Sequence, residues 1–489
     1  MTTREQIRHL LRRFGFQPSL GELALYEPQG VDATIAQLID YDKVDEGFPI
    51  SPWEICFEPG KTDVYVDPPR IGMWWALRML MTKRPLQENL TFFWHNHFAV
   101  GAQKVEFGPM MCAYLQAIRE NANGHFPTLL QDVSVTPAML RWLDTDTSVK
   151  GRPNENFARE LMELFTIGIG HYAETDVKEA ARAFTGWGLR YLIYESGGEN
   201  VQARLRESVK NNLPMVAFCD SPELHDTGLK TVLGQSGAFN GYDVLRLAAS
   251  RPETARRITK KLWEWYAYAD PEPKIVDKLA ATFQSHDYQI KPVLHEIATM
   301  PEFWSDTCVR QKVKSPAEFI VGILRQVEPN SFLSTIRPAN SKDDTPLPPM
   351  LRGVGGLVWG SMYQQGLALL YPPDVSGWHW GKAWLTSANM YERMKFSPTI
   401  FGVNQADKGL ANYIGNRIKT AYKPSKPEHV VDGLLEMFDT GFSPTKHAVL
   451  VKACAEAGGH QALDTPDGCS KVGNAVCRLV FSSPEFQMC

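Results

Sequence analysis

Apolar residues recur at helical spacing through most of the first 190 positions. Near the start, Ile7, Leu10, Leu11 and Phe14 follow the pattern i, i+3, i+4, i+7, which predicts a helix that docks this face on a core and leaves His9, Arg12 and Arg13 off the stripe. A second helix is expected from near Gly21 and a third over Ala33–Asp40. A fourth, over Pro69–Met81 (PRIGMWWALRMLM), is apolar nearly all round and so belongs at the centre. Pro85 suits the first position of the next helix, where the N–H it lacks has no partner in any case.

The pattern changes over Tyr191–Gly241. Gly197, Gly198, Asn211 and Asn212 punctuate the short apolar run Leu213–Phe218, which predicts a small β-rich insertion. Helices resume at Tyr242 and recur up to Gln326. They give way to a polar, proline-rich stretch, Glu328–Pro349, expected as a long loop or lid, and return over Pro427–Cys489. The reading is a mainly α, large multi-helix fold with a small β-rich insertion and long loops. Its parts are 1–190, 191–241 and 242–489, the last carrying the proline-rich loop 328–349 and a tryptophan-rich loop 372–384 and packing with the first as one unit.

Composition narrows the function classes. The 489 residues are 44% hydrophobic and 22% charged, the balance of a globular protein, and the formal charge of -4 offers no basic excess to recruit nucleic acid. The charged N-terminus lacks a secretory core, and no run of about 18 apolar residues occurs, so a soluble, cytoplasmic chain with no membrane segment is expected. The eight cysteines are scattered with no CxxC pair, which argues for reduced, buried thiols and leaves Cys454–Cys469 and Cys469–Cys477 as the pairs to check. No phosphate-binding GxxxxGK[ST] loop, dinucleotide fingerprint or GxSxG elbow is present, so a nucleotide cofactor is not expected.

Candidate chemistry begins at FWHNHF, Phe93–Phe98. On a helix opened by Pro85, His97 continues the stripe of Leu86, Leu90, Phe93 and Trp94, while His95 lies about 200° away, so the two rings do not chelate one ion together. An extended chain would place them on one side as a metal-binding pair. Asn154 is the expected N-cap of a helix whose buried stripe is Phe157, Leu161, Leu164 and Phe165. Glu160 lies on its border, a half-buried carboxylate that needs an arginine partner, Arg13 or Arg182, a proton or a metal ion. In TDVKEAARAFTGW, Asp176 and Glu179 fit a capping arrangement and Glu179 with Arg182 an ion pair; the functional alternative makes Glu179 a further site carboxylate. HDTGLK presents His225 and Asp226 on a turn as candidate base and acid, with Lys230 an anchor for a substrate anion. PPDVSGWHWGKAW crowds Trp378, His379, Trp380 and Trp384 on a stiff loop able to line a cleft for a peptide or a small aromatic substrate, or simply to pack.

Eight stretches together resemble one bacterial family, the domain of unknown function numbered eighteen hundred. They are HLLRRFGF (9–16), FWHNHF (93–98), NENFARELMELFTIG (154–168), DVKEAARAFTGW (176–187), HDTGLKTVLG (225–234), ARRITKKLW (255–263), PPDVSGW (372–378) and SSPEFQ (482–487). One departure is visible, since the family follows the last Gly-Trp with small, glycine-rich residues and this chain has His379 and Trp380. The resemblance implies a large helical protein, often encoded beside an exported family that is similar to the alkaline phosphatase and sulfatase group, and so a protein partner from that family. It implies no established reaction.

The expectation from the residues is a metal-assisted or acid/base enzyme. His95, His97 and Glu160 would hold iron, manganese or copper, His225, Glu179 and Asp226 would carry the chemistry, and Arg13, Lys230, Trp378, His379 and Trp380 would bind substrate. Redox chemistry comes first and hydrolysis second. The rival reading is a non-catalytic binding or maturation partner with a buried polar network and a tryptophan-lined interface.

Overall fold

Proline and capping side chains set the starts of many helices. Pro85 opens Pro85–His97, Ser315 caps Pro316–Val327 and Thr2 caps Thr3–Phe14, the last two through reciprocal bonds with a glutamate three residues on. The computed structural model describes residues 1–61, 63–194, 200–328, 333, 345–403 and 408–489. Helices dominate them, and the two sheets are small antiparallel hairpins, so the mainly α reading holds.

The helix Pro68–Met81 is central as its composition predicts. It packs against Pro85–His97, Gly108–Asn121, Pro316–Val327 and Pro349–Gln364. Buried apolar residues from Ile7 to Phe486 form one contiguous cluster. The first helix is tied to the C-terminal part by Arg12, which donates from Nε and Nη2 to the buried Asp439 at 2.5 and 2.8 Å. No helix among the described residues is long and apolar enough to cross a membrane. All eight cysteines are free, so neither cysteine pair is bridged.

Three expectations change. Within 191–241 lies a helix, Val201–Lys210, because Val201, Leu205 and Val209 share one face that the charged residues between them obscure. The first strand starts before that segment: Trp187–Arg190 pairs with Ala217–Asp220, with Trp187 opposite Asp220, and a second hairpin joins Lys230–Val232 to Gln235–Gly237. Asn154 does not cap the helix directly. Its Oδ1 accepts from Asn156 N, two residues on, at 2.9 Å, Glu155 stands at the cap position, and the α-helix spans only Asn156–Glu160 before widening into a π-helical turn, Leu161–Phe165. The proline-rich stretch lies mostly outside the described residues; Pro349 opens the helix that follows.

The helix Pro85–His97 is buried on every side except at Asn96, which is half-buried. A polar sequence survives there because most of its side chains find inward partners. Glu88, wholly buried, accepts from Trp75 Nε1 (2.9 Å), Arg78 Nε (2.7 Å) and Arg119 Nε (2.8 Å). Asn89 donates to the Gly15 carbonyl and accepts from Trp265 Nε1, both at 2.8 Å. Asn96 Oδ1 accepts from the backbone N–H of Trp378 at 2.7 Å, so this helix is also the seat of the tryptophan-rich loop.

Candidate functional site

The π-helical turn ends the chain's helical run at Phe165, and Thr166 follows with φ -132° and ψ -95°. A helix end leaves its last carbonyls without intrahelical donors, and single π-turns recur at functional sites. Here two of those carbonyls are taken by side chains from other elements. His97 donates from Nε2 to the Phe165 carbonyl at 3.1 Å, and Arg257 donates from Nε to the Leu164 carbonyl at 3.4 Å. A carbonyl only accepts, so Nε2 of His97 carries the ring proton and Nδ1 presents a lone pair. Lys261 Nζ stands 3.0 Å from that Nδ1 and donates to it.

Lys261 and Arg257 are four residues apart on the helix Pro252–Tyr266 and share a face. The ammonium reaches inward to His97, which is 4% exposed. Burial first, then the Arg257 guanidinium, pushes Lys261 down to about 7. Burial and the same two cations hold His97 well below the ordinary imidazole range, so it stays neutral. Burial also lowers Arg257. The arrangement is an amine half-deprotonated near neutrality, oriented by a neutral imidazole whose tautomer is fixed by a helix-end carbonyl. Lys261 and Arg257 are half-buried, and the neighbouring Ile169 and Gly170 are exposed, so the cluster reaches the surface. Three of the stretches named above meet here: FWHNHF supplies His97, NENFARELMELFTIG the π-turn, and ARRITKKLW the two cations.

A family model described as "Protein of unknown function (DUF1800)" matches residues 9–488. The chain belongs to that family. No curated protein and no solved structure matches it. Membership supplies no reaction, so the chemistry of this DUF1800 member has to be read from its side chains.

The metal set expected from the sequence is not assembled. Both ring nitrogens of His97 are engaged, and an ion would have to displace the Phe165 carbonyl or Lys261. His95 is fully buried and points elsewhere: its Nδ1 meets the Tyr114 hydroxyl at 3.0 Å, and that hydroxyl donates to the Phe98 carbonyl at 3.1 Å, so Nδ1 is the protonated nitrogen. Trp75 and Trp378 flank its ring at 5.5 and 5.4 Å between centroids, and burial pushes it down to about 3. Glu160 is half-buried and, among the described residues, hydrogen-bonded to no side chain; burial and Glu163 raise it. Neither arginine expected beside it is there. Among the described residues no three of His, Cys, Asp and Glu stand close enough to hold an ion, so these residues do not fit iron, manganese or copper.

Glu179, Asp226, His225 and Lys230 come together, and what they build is a docked turn. Arg182 donates from Nε and Nη2 to Asp226 at 2.9 and 3.1 Å and from Nη1 to Glu179 at 2.8 Å. Asp226 is pulled down to about 2 by that arginine. His225 Nδ1 bonds the Thr185 carbonyl at 2.9 Å, and Lys230, 1% exposed, donates to the carbonyls of Asp226 and Gly228. A lysine spent on two carbonyls inside a turn is no anchor for a substrate anion, and a carboxylate clamped by arginine is a poor proton acceptor.

The substrate-binding expectations are corrected likewise. Arg13 is 0% exposed and donates to the Cys308 carbonyl. Trp378 and Trp384 are each 5% exposed; Trp378 packs on His95 and Phe92, and Trp380 sits edge-on to Trp265 at 4.2 Å, so these rings close the core over the histidine helix rather than line a cleft. His379 alone of that group is exposed. The sequence reading missed Lys261 and Arg257. The one signal available was a like-charged i, i+4 pair, which is unfavourable on a helix unless something else requires it.

Proposed function

We propose that this chain is an enzyme with a proton-transfer centre in which Lys261 is the general base, oriented by His97. The observation that carries it is the 3.0 Å contact between Lys261 Nζ and His97 Nδ1, with the other imidazole nitrogen held by the Phe165 carbonyl. A lysine poised near neutrality serves proton abstraction because a large share of it is unprotonated at working pH, while its conjugate acid remains strong enough to return the proton. His97 takes one N–H of the amine and leaves the lone pair to face a substrate proton. The step derived is deprotonation or water activation; no redox step is derived, since the donor set does not fit a redox metal.

Cavity size does not compete with this assignment. A groove of about 490 Å³ between Pro349–Gln364 and Ser387–Ile400 has its charges tied as a Glu392–Lys395 pair at 2.9 Å. A hollow of about 630 Å³ beside Arg8, Arg310 and Glu485 has its arginines on Asp439 and Glu436. Neither holds a free acid or base. A second reading, the non-catalytic partner, is favoured by two exposed apolar side chains, Leu229 (78% exposed) inside a family-like stretch and Ile169 (75% exposed) immediately after another.

The test is competitive labelling with trace acetic anhydride, read by mass spectrometry across pH 5–11. Lys261 should titrate near 7 and react well ahead of surface lysines at pH 7.5. Titration near 10.5 would leave the chain without its base and sink the proposal. The same protein incubated in D₂O with small carbonyl and carboxylic compounds should exchange a carbon-bound proton, and Lys261→Met should not.

A further inference from the structure

The cations of the helix Pro252–Tyr266 divide into two sets. Arg256 pairs with Asp277, and Lys260 faces Glu264 at 3.7 Å. Arg257 and Lys261 have no acidic partner among the described residues. The carboxylate closest in influence to Arg257 is Glu163, and its Oε2 accepts instead from the Tyr172 hydroxyl at 3.0 Å. Glu264 acts on Lys261 and Glu163 on Arg257 without forming an ion pair, so the two adjacent cations still repel one another, an arrangement that costs stability unless a ligand relieves it.

Backbone geometry holds the guanidinium in place. The Leu164 carbonyl takes Nε, and neither terminal nitrogen makes a hydrogen bond to another described residue. Gly168 follows at φ +91°, in a turn fixed by its N–H bond to the Met162 carbonyl at 2.8 Å, and a Cβ added there would lie 3.0 Å from Arg257 Nη1. Glycine therefore supplies both the left-handed turn and the space beside the guanidinium. A planar fork with free terminal N–H groups next to an ammonium matches the oxygens of a carboxylate, phosphoryl or sulfuryl group.

We infer that Arg257 binds the oxyanion group of the substrate through paired N–H bonds, with the substrate's reacting C–H or O–H bond, rather than the oxyanion, placed against the neutral amine of Lys261. The inference rests on the proton-transfer reading and specifies its substrate class: a small molecule carrying a carboxylate, phosphate or sulfate near the proton that leaves. The anion stays bound while the proton passes from substrate to the Lys261 amine and back, so no oxidant, reductant or co-reactant is needed.

The labelling experiment is repeated with sodium phosphate, sulfate or acetate against sodium chloride at constant ionic strength. A bound anion favours the charged amine, so labelling of Lys261 at pH 7.5 should slow about tenfold and saturably with the matching oxyanion. The three arms distinguish phosphoryl, sulfuryl and carboxylate recognition. Arg257→Gln should abolish the response while Lys261 keeps a depressed titration, because burial is its larger cause. Should that variant not fold, Arg257→Lys, which keeps the charge and loses the fork, should weaken the response at least several-fold. A Lys261 that titrates near 7 but ignores all three oxyanions, or responds equally to chloride, would overturn the anion site and leave the base intact. A Lys261 that titrates near 10.5 would overturn the base first.

Discussion

Replacing Lys261 by Met should stabilise the protein at acid and neutral pH, and the size of the gain follows from the site. Methionine keeps most of the stem and removes the ammonium. In the folded chain the amine titrates at about 7 against an ordinary value of 10.5. At about 1.4 kcal/mol per pH unit, that gap bounds the cost of holding the charged amine in the fold at on the order of 4–5 kcal/mol. The bond to His97 offsets roughly 1 kcal/mol of it. The variant should therefore gain about 2–4 kcal/mol at pH 6.

The sign with pH is fixed by linkage. Below about 7 both folded and unfolded chains carry the proton, so the full penalty applies. Between about 7 and 10.5 only the unfolded chain carries it, so the wild type gains stability as pH rises through that window. By pH 9 the variant's advantage should fall to about 1 kcal/mol or less. Paired urea unfolding curves at pH 6, 7.5 and 9 measure the difference, and groups titrating alike in both proteins cancel. A Lys261→Met protein no more stable than wild type at pH 6, or an advantage that does not shrink with pH, would refute the placement of this ammonium in a half-buried, cationic setting.

Other substitutions separate scaffold from site. Glu88→Gln leaves Arg119, 3% exposed, and Arg78 around a neutral amide and should cost about 3–5 kcal/mol at pH 7 by urea unfolding; a loss under about 1 kcal/mol would mean that the buried charges are not holding the helices together. Gly377 sits at φ +83°, and a Cβ added there would collide with Asn96, so Gly377→Ala should cost on the order of 2 kcal/mol and shift tryptophan emission to the red as Trp378 comes off the histidine helix; unchanged emission would contradict that seat. Protein purified without a histidine tag should carry less than about 0.1 iron, manganese or copper per chain, whereas one ion per chain lost in His97→Gln would reverse the assignment of both its ring nitrogens.

What the sequence made legible was set by local periodicity. Register from Pro85 separated His95 from His97 and turned His97 inward, and the apolar circumference of Pro69–Met81 marked the central helix, because both follow from about 100° per residue. It also gave Glu179 to Arg182, an i, i+3 neighbour. It did not give Arg182 to Asp226, 44 residues on, nor Lys261 to His97, 164 residues apart, because those distances are closed by tertiary packing. ARRITKKLW reads as an amphipathic helix with a solvated basic face, and only the π-turn laid over that face makes two of its cations costly. The π-turn was illegible in turn, since NENFARELMELFTIG carries an ordinary α-helical stripe.

The same physics explains why the histidines attracted attention and the lysine did not. A histidine among aromatics suggests chemistry by residue type alone, yet His95 spends one nitrogen on Tyr114 inside an aromatic box, and among the described residues no carboxylate bonds its ring. A lysine acquires chemistry from its surroundings: only burial and a neighbouring guanidinium bring its amine near neutrality. His97 then matters for what it withholds. With its proton given to Phe165, it offers Lys261 a lone pair and no charge, so the amine is oriented without the acidic partner that would restore it to an ordinary, fully protonated lysine. An aspartate in that position would raise the lysine and end its use as a base, which is why a neutral imidazole, tied down on its far side, suits the site.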